Sequence, residues 1–170
     1  DEFIAAGQGT IGIELADQLQ SVTDVLVPVG GGGLISGIAI AVKFLLPNTN
    51  VIGVQPDTNP AFYESFKVGK IIDVELFDSI ADGILGGIEH GSITLDIALK
   101  YVDEICLVKE ATLKEAIKLL WKEDKQKVEG AAALAISPIL ENPSDYKDRI
   151  IVAIMSGGNI DEELFQKLIK

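Results

Sequence analysis

Four consecutive glycines, Gly30 to Gly33, follow the apolar run Val25-Leu26-Val27-Pro28-Val29 and precede an apolar helical pattern that starts at Leu34. That order reads as a strand, a turn of bare backbone and a helix. Glycine has no Cβ, so the turn can adopt φ > 0 and bring backbone N–H groups close to a ligand. Those donors, with the positive end of the following helix dipole, suit a phosphate. A ligand-free strand-to-helix turn is the alternative. One or two glycines suffice for that, and four carry an entropic cost that packing alone does not explain.

Other residues with chemical potential are placed less tellingly. Gly7-Gln8-Gly9-Thr10-Ile11-Gly12 fits G-x-G-x-x-G, but the dinucleotide fingerprint needs a preceding strand and an acidic residue ending a second one. Only six residues precede Gly7, and Asp24 opens a strand instead of ending one. The single histidine, His90, lies in the loop sequence Gly87-Ile88-Glu89-His90-Gly91 with no partner at triad spacing. The single cysteine, Cys106, lies in the apolar run Ile105-Cys106-Leu107-Val108 and reads as a structural thiol. One cysteine excludes an internal disulfide and fits a reducing cytoplasm.

The 170 residues make one domain, residues 1–170, large enough for a sizeable core. Apolar content of 48% against 24% charged residues excludes a disordered chain. A net charge of −12 argues against nucleic acid and against anionic membrane surfaces. It also means that local geometry must hold any bound phosphate, because the global field repels it. Residues 25 to 42 carry no charge, but Pro28 and the glycines interrupt the run, so a buried strand and helix explain it better than a membrane span. The chain opens on Asp1-Glu2, with neither a basic leader nor Met, which leads us to expect a fragment of a longer protein.

Elements that would position these residues alternate along the chain. Helices are expected over Ile11–Leu19, Leu34–Leu46 (ended by Pro47), Pro60–Lys67 (closed by Gly69), Ser92–Tyr101 (capped by Ser92), Glu129–Leu140 and Asp161–Ile169. Another starts at Thr112, which with Glu115 forms a capping box. It has Leu113, Ala116, Ile117, Leu120 and Trp121 on one face, and Lys114, Lys118, Lys122 and Glu123 on a solvated one. Strands are expected over Asp24–Val29, Val51–Val54, Glu104–Val108 and Arg149–Met155. Apolar strands separated by helices predict an α/β fold, a three-layer open parallel sheet covered on both faces. Ligands of such sheets sit at the carboxyl ends of the strands. Gly30 to Gly33 and Ser156-Gly157-Gly158-Asn159 both fall there, and the turn Ala81-Asp82-Gly83 precedes a further pair, Gly86-Gly87. One shared site is the simplest reading.

In order along the chain come Ala6-Gly7-Gln8-Gly9-Thr10, Pro28-Val29-Gly30-Gly31-Gly32-Gly33-Leu34, Ile80-Ala81-Asp82-Gly83, Val128-Glu129-Gly130-Ala131 and Met155-Ser156-Gly157-Gly158-Asn159. Together they resemble the carboxyl-terminal half of the fold-type II (tryptophan synthase β-like) pyridoxal-phosphate enzymes, in the branch of threonine/serine dehydratases and serine racemases. The resemblance implies pyridoxal 5'-phosphate as cofactor, with Gly30, Gly31, Gly32, Gly33 and Leu34 around its phosphate. It implies a backbone contact from Gly83 near the ring and the Ser156 hydroxyl at the pyridine nitrogen. A neutral serine there leaves the nitrogen largely unprotonated and weakens the ring as an electron sink. Glu129 matches a carboxylate near the ring, and a first-turn helix charge is its equally weighted alternative.

The family's Schiff-base lysine lies in its amino-terminal half, in a Ser-x-Lys-x-Arg-like motif that this chain lacks, as it lacks the small substrate-binding domain. The resemblance therefore implies the large-domain part of an L-threonine/L-serine dehydratase, inactive alone. Its expected partners are the amino-terminal half, a threonine or serine substrate, and further copies in a homo-oligomer. A serine racemase-like enzyme and a non-catalytic phosphate-ligand module remain open as alternatives. Some members hold a divalent cation after the second strand. The matching positions here are Gln55, Asn59 and Ala61, poor ligands for a hard cation, with Asp57 the one carboxylate nearby. No metal is expected, so saturating Mg²⁺ or Ca²⁺ should leave the melting temperature unchanged. A rise of several degrees would reveal a tight site.

Overall fold

A computed structural model describes all 170 residues. Four parallel strands, β1 (Asp24–Pro28), β2 (Asn50–Pro56), β3 (Glu104–Val108) and β4 (Ile151–Ala153), form one sheet in the order β3-β2-β1-β4. Side chains alternate across it, as the two-residue repeat of a strand requires. Val25, Val27, Val51 and Ile105 face a core shared with α2 (Gly33–Leu45) and α4 (Thr94–Tyr101). Leu26, Ile52, Val54 and Val108 face the opposite core, with Leu113 of α5 (Glu110–Asp124), Ala131 of α6 (Gly130–Ala133) and Leu134. The α/β sandwich expected from the sequence is the one found. Short helices α3 (Ala61–Val68), α7 (Ser137–Glu141) and α8 (Glu162–Leu168) complete it, and Gly69 ends α3 in the left-handed conformation.

Helix α1 spans Glu2–Gln18, nine residues earlier than the expected start at Ile11. Asp1 caps it, accepting from the Phe3 amide at 2.8 Å. Gly7, Gly9 and Gly12, unfavourable in isolated helices, lie inside it, so the G-x-G-x-x-G match is helix and not a phosphate turn. Two of them serve contact with α2. A Cβ on Gly9 would sit 3.2 Å from the Gly37 carbonyl oxygen, and one on Gly12 would sit 2.7 Å from the Ala41 Cβ.

Three other expectations need correction. The helix expected over Glu129–Leu140 is broken into α6, a 3-10 turn at Leu134–Ile136, and α7. Pro138 has no N–H to donate, and the Ser137 hydroxyl competes for the Ala133 carbonyl at 2.9 Å. The capping box does not form, because α5 begins at Glu110. Thr112 lies inside it and donates instead to Glu141 Oε1 at 2.7 Å, where the Lys109 amide also donates. Helix α4 begins at Thr94, two residues after Ser92.

The α1–α2 contact is the tightest in this layer. A Cβ on Gly37 would lie 2.1 Å from the Ala5 carbonyl oxygen and 2.6 Å from the Gly9 nitrogen, both backbone atoms that cannot swing aside. Gly37→Ala should therefore lower stability by about 3 kcal/mol. Gly7→Ala, with nothing within 4 Å, should raise it by roughly 0.5–1 kcal/mol. Urea unfolding of the pair checks both signs.

Candidate functional site

The carboxyl edge of the sheet gathers the chemistry. Strand β4 pairs with β1 from Asp24↔Ile151 to Leu26↔Ala153, and the Ile154 amide donates to the Leu26 carbonyl at 3.0 Å. Three residues past the end of β4, Ser156 reaches the same cleft as Gly33 and Leu34, where the glycine turn passes into α2. This cleft, of about 360 Å³, is lined by Gln8, Gly33, Leu34, Met155 and Ser156 among others. A larger cleft of about 450 Å³ between α1 and α2 is apolar, with Glu2 its one charged residue.

The four glycines answer to different constraints. Gly32 has φ +85°, and a Cβ on it would strike the Phe62 ring at 2.2 Å. Gly30 lies against Ile84 of the 3-10 turn Asp82–Ile84, where a Cβ would come within 3.2 Å. A Cβ on Gly31 or on Gly33 would meet nothing within 4 Å. No packing constraint keeps those two bare, and their open sides form a cradle that side chains would fill. The amides of Gly30, Gly31 and Gly32 donate to no atom of the chain. Those at the start of α2 are free of intrahelical partners by geometry. The Gly32 cap offers no side-chain bond to them.

Glu129 joins the loops. Its amide donates to the Gly157 carbonyl at 3.3 Å, and its Oε2 accepts from the Asn159 amide at 3.0 Å. Its Oε1 lies 2.6 Å from where a Gly157 Cβ would be and 3.5 Å from where a Gly83 Cβ would be. Glu129 caps α6 in extended conformation, outside the helix, so its carboxylate braces the serine-bearing turn and does not act as a first-turn helix charge. Gly83 itself is exposed, and the turn that contains it touches Gly30 through Ile84. The expected residues Gly30, Gly31, Gly32, Gly33, Leu34, Gly83, Glu129 and Ser156 thus form one connected edge.

The residues set aside stay apart from this edge. His90 is exposed and faces Asp73 at 3.8 Å. Burial, and then Glu104, push the Cys106 thiol up to about 12, so it is protonated near neutrality. Gln55 is buried and spent on structure, donating to the Val29 carbonyl at 3.1 Å and accepting from the Tyr63 amide at 2.8 Å. Ala61 starts α3, and Asn59 is buried with both side-chain polar atoms unpartnered. Missed from the sequence were Phe62, Ile84 and Thr94, which shape the glycine turn. Thr94 was legible only as part of a helix start.

The architecture is that of an α/β domain with an amide-rich glycine turn and a serine turn gathered at the carboxyl edge of its parallel sheet. Known proteins give the class more closely. The family model described as pyridoxal-phosphate dependent enzyme matches residues 1–157, and the chain belongs to that family. The L-threonine ammonia-lyase of Thermotoga maritima is 40% identical over 169 residues, covering 99% of this chain and 42% of that protein. The catabolic L-threonine dehydratase of Escherichia coli K12 is 40% identical over 163 residues, covering 95% and 49%. The threonine deaminase of T.th. superposes with a TM-score of 0.88 at 38% identity, over 95% of this chain and 60% of that one. Serine racemase from Dictyostelium discoideum gives 0.84 at 38% identity, over 92% and 50%. The chain spans about half the length of the curated relatives it matches. The fold is the fold-type II pyridoxal-phosphate fold, and no helix is long and apolar enough to cross a membrane.

The open sides of Gly31 and Gly33 and the unpaired amides fit the phosphate of that cofactor. Gly31→Val should leave thermal stability close to wild type and weaken pyridoxal phosphate binding at least about tenfold, the loss of one to two amide contacts. Gly32→Val should lose stability itself, because φ and Phe62 both exclude it. Fluorescence titration beside a melting curve separates the two. Normal affinity in Gly31→Val would refute the cradle.

Proposed function

We propose that this chain is the cofactor-holding part of an L-threonine/L-serine ammonia-lyase that eliminates the β-hydroxyl and releases a 2-oxo acid and ammonia. The observation that carries the reading is a neutral hydroxyl, Ser156, lining the cleft next to a glycine cradle, in a chain 40% identical to proteins named for that reaction. When bound, pyridoxal phosphate supplies the electron sink that makes the substrate α-proton acidic. The amides of Gly30 to Gly33, Leu34 at the start of α2, and the positive end of that helix would hold the phosphate without a cation. Ser156, which lines the cleft, would keep its proton on Oγ and offer it as a hydrogen bond to the ring nitrogen of the bound cofactor. With a neutral hydroxyl and no carboxylate at that position, the site would leave the bound cofactor a sink of moderate strength. Glu129 keeps the Ser156 turn in place through Gly157 and Asn159, and the backbone of Gly83 would contact the cofactor near its ring.

The lysine that anchors the cofactor belongs, in this reading, to polypeptide outside this chain, since none of the lysines lines the cleft. The amino-terminal half and further copies of the protein are the partners. Full-length protein given L-threonine or L-serine should release ammonia with the matching 2-oxo acid. Accumulation of D-serine alone would favour the racemase reading, for which the Dictyostelium structure is the support. Ser156→Ala should lower kcat roughly a hundredfold, the scale for losing one donor to developing charge, while the cofactor stays bound. Unchanged turnover would remove Ser156 from the mechanism.

A further inference from the structure

We propose that Thr94 is a positioning residue that sets the glycine turn to donate hydrogen bonds instead of accepting them. The inference rests on the reading that this turn binds the cofactor phosphate. Thr94 opens α4, is 8% exposed, and donates from Oγ1 to the Gly31 carbonyl at 2.7 Å. Its one hydroxyl proton is thereby used, so the contact of 2.9 Å to Ser92 Oγ must have Ser92 as donor. The result is a hydroxyl chain, Ser92 to Thr94 to Gly31, whose links polarise one another. Ser36 on α2 donates to the Thr94 carbonyl at 3.2 Å, fixing α4 to the helix that follows the turn.

The consequence comes from peptide geometry. In a planar trans peptide the C=O and N–H point in opposite directions. Holding the Gly31 oxygen against Thr94 therefore turns the Gly32 N–H away from α4, and that amide has no partner in the chain. The next peptide is fixed in the same sense, because the Gly32 carbonyl accepts from the Ser36 amide at 3.0 Å. Glycines permit both signs of φ, so a run of them can equally present carbonyl oxygens to the cleft, which would repel a phosphate. The run supplies the freedom, and Thr94 selects the donor orientation.

The test titrates full-length apoprotein with pyridoxal 5'-phosphate and, separately, with pyridoxal, which has the ring and no phosphate. Thr94→Val keeps the shape and removes the donor. It should weaken pyridoxal phosphate about tenfold, in line with one misoriented hydrogen-bonding peptide, and leave pyridoxal within about twofold on the same scale. Thr94→Ser restores the hydroxyl and should restore the phosphate preference. Thr94→Cys, a weak donor, should lie between them and serves if the valine variant does not fold. Wild-type protein with no preference for the phosphorylated form would overturn the phosphate reading itself. A wild-type preference that Thr94→Val, or Thr94→Cys in its place, retains in full would overturn the role of Thr94 alone.

Discussion

A buried carboxylate at the start of the central strand holds together parts of the chain that are 125 residues apart. Asp24 has no exposed surface, and it accepts from the Thr23 hydroxyl at 2.8 Å, the Asn50 side-chain amide at 2.9 Å and Arg149 Nη1 at 2.8 Å. A buried charge stripped of such partners is strongly destabilising. The structure must therefore keep β2 on one side of β1 and the entry to β4 on the other. Only with β4 there does the turn that carries Ser156 arrive beside the glycine turn. The anchor sits at the amino ends of the strands and the site at the carboxyl ends, so the strands carry the constraint along their full length.

The site is built almost entirely from backbone. The chain carries a net charge of −12, and no lysine or arginine lines the cleft. Affinity for an anion must then come from fixed dipoles at close range, which depend on geometry far more steeply than a mobile lysine does. That requirement explains the density of bracing around the turn, with Phe62 beneath Gly32, Ile84 against Gly30 and Glu129 across the serine loop. Preorganised dipoles stand in for charge.

Features fixed by neighbours in sequence were legible, and those fixed by distant neighbours were not. Strand β3 was read at its observed bounds because its apolar run is local, and Gly69 announced the end of α3. The gathering of the two glycine-rich turns followed from a topological rule about parallel sheets, which needs only the order of elements. The amino-terminal extent of α1 escaped because three glycines weaken a helix unless another backbone lies against them, and Gly37 is far away in sequence. Helix α5 escaped at its start because its cap comes from Glu141, about thirty residues on. For the same reason Thr94 went unmarked inside the helix expected from Ser92, when its hydroxyl is bound to a carbonyl 63 residues earlier.

The backbone contact between α1 and α2 has a mechanical consequence. Side chains between two helices act as springs, taking up small shifts by changing rotamer. At Gly9 and Gly37 that compliant layer is missing, because carbonyl meets backbone directly. Helix α2 begins at the glycine turn, so α1, α2 and the turn behave as one stiff body. With backbone set against backbone, a displacement of α1 along this seam cannot be absorbed by rotamers and must shift α2, and with it the start of the glycine turn.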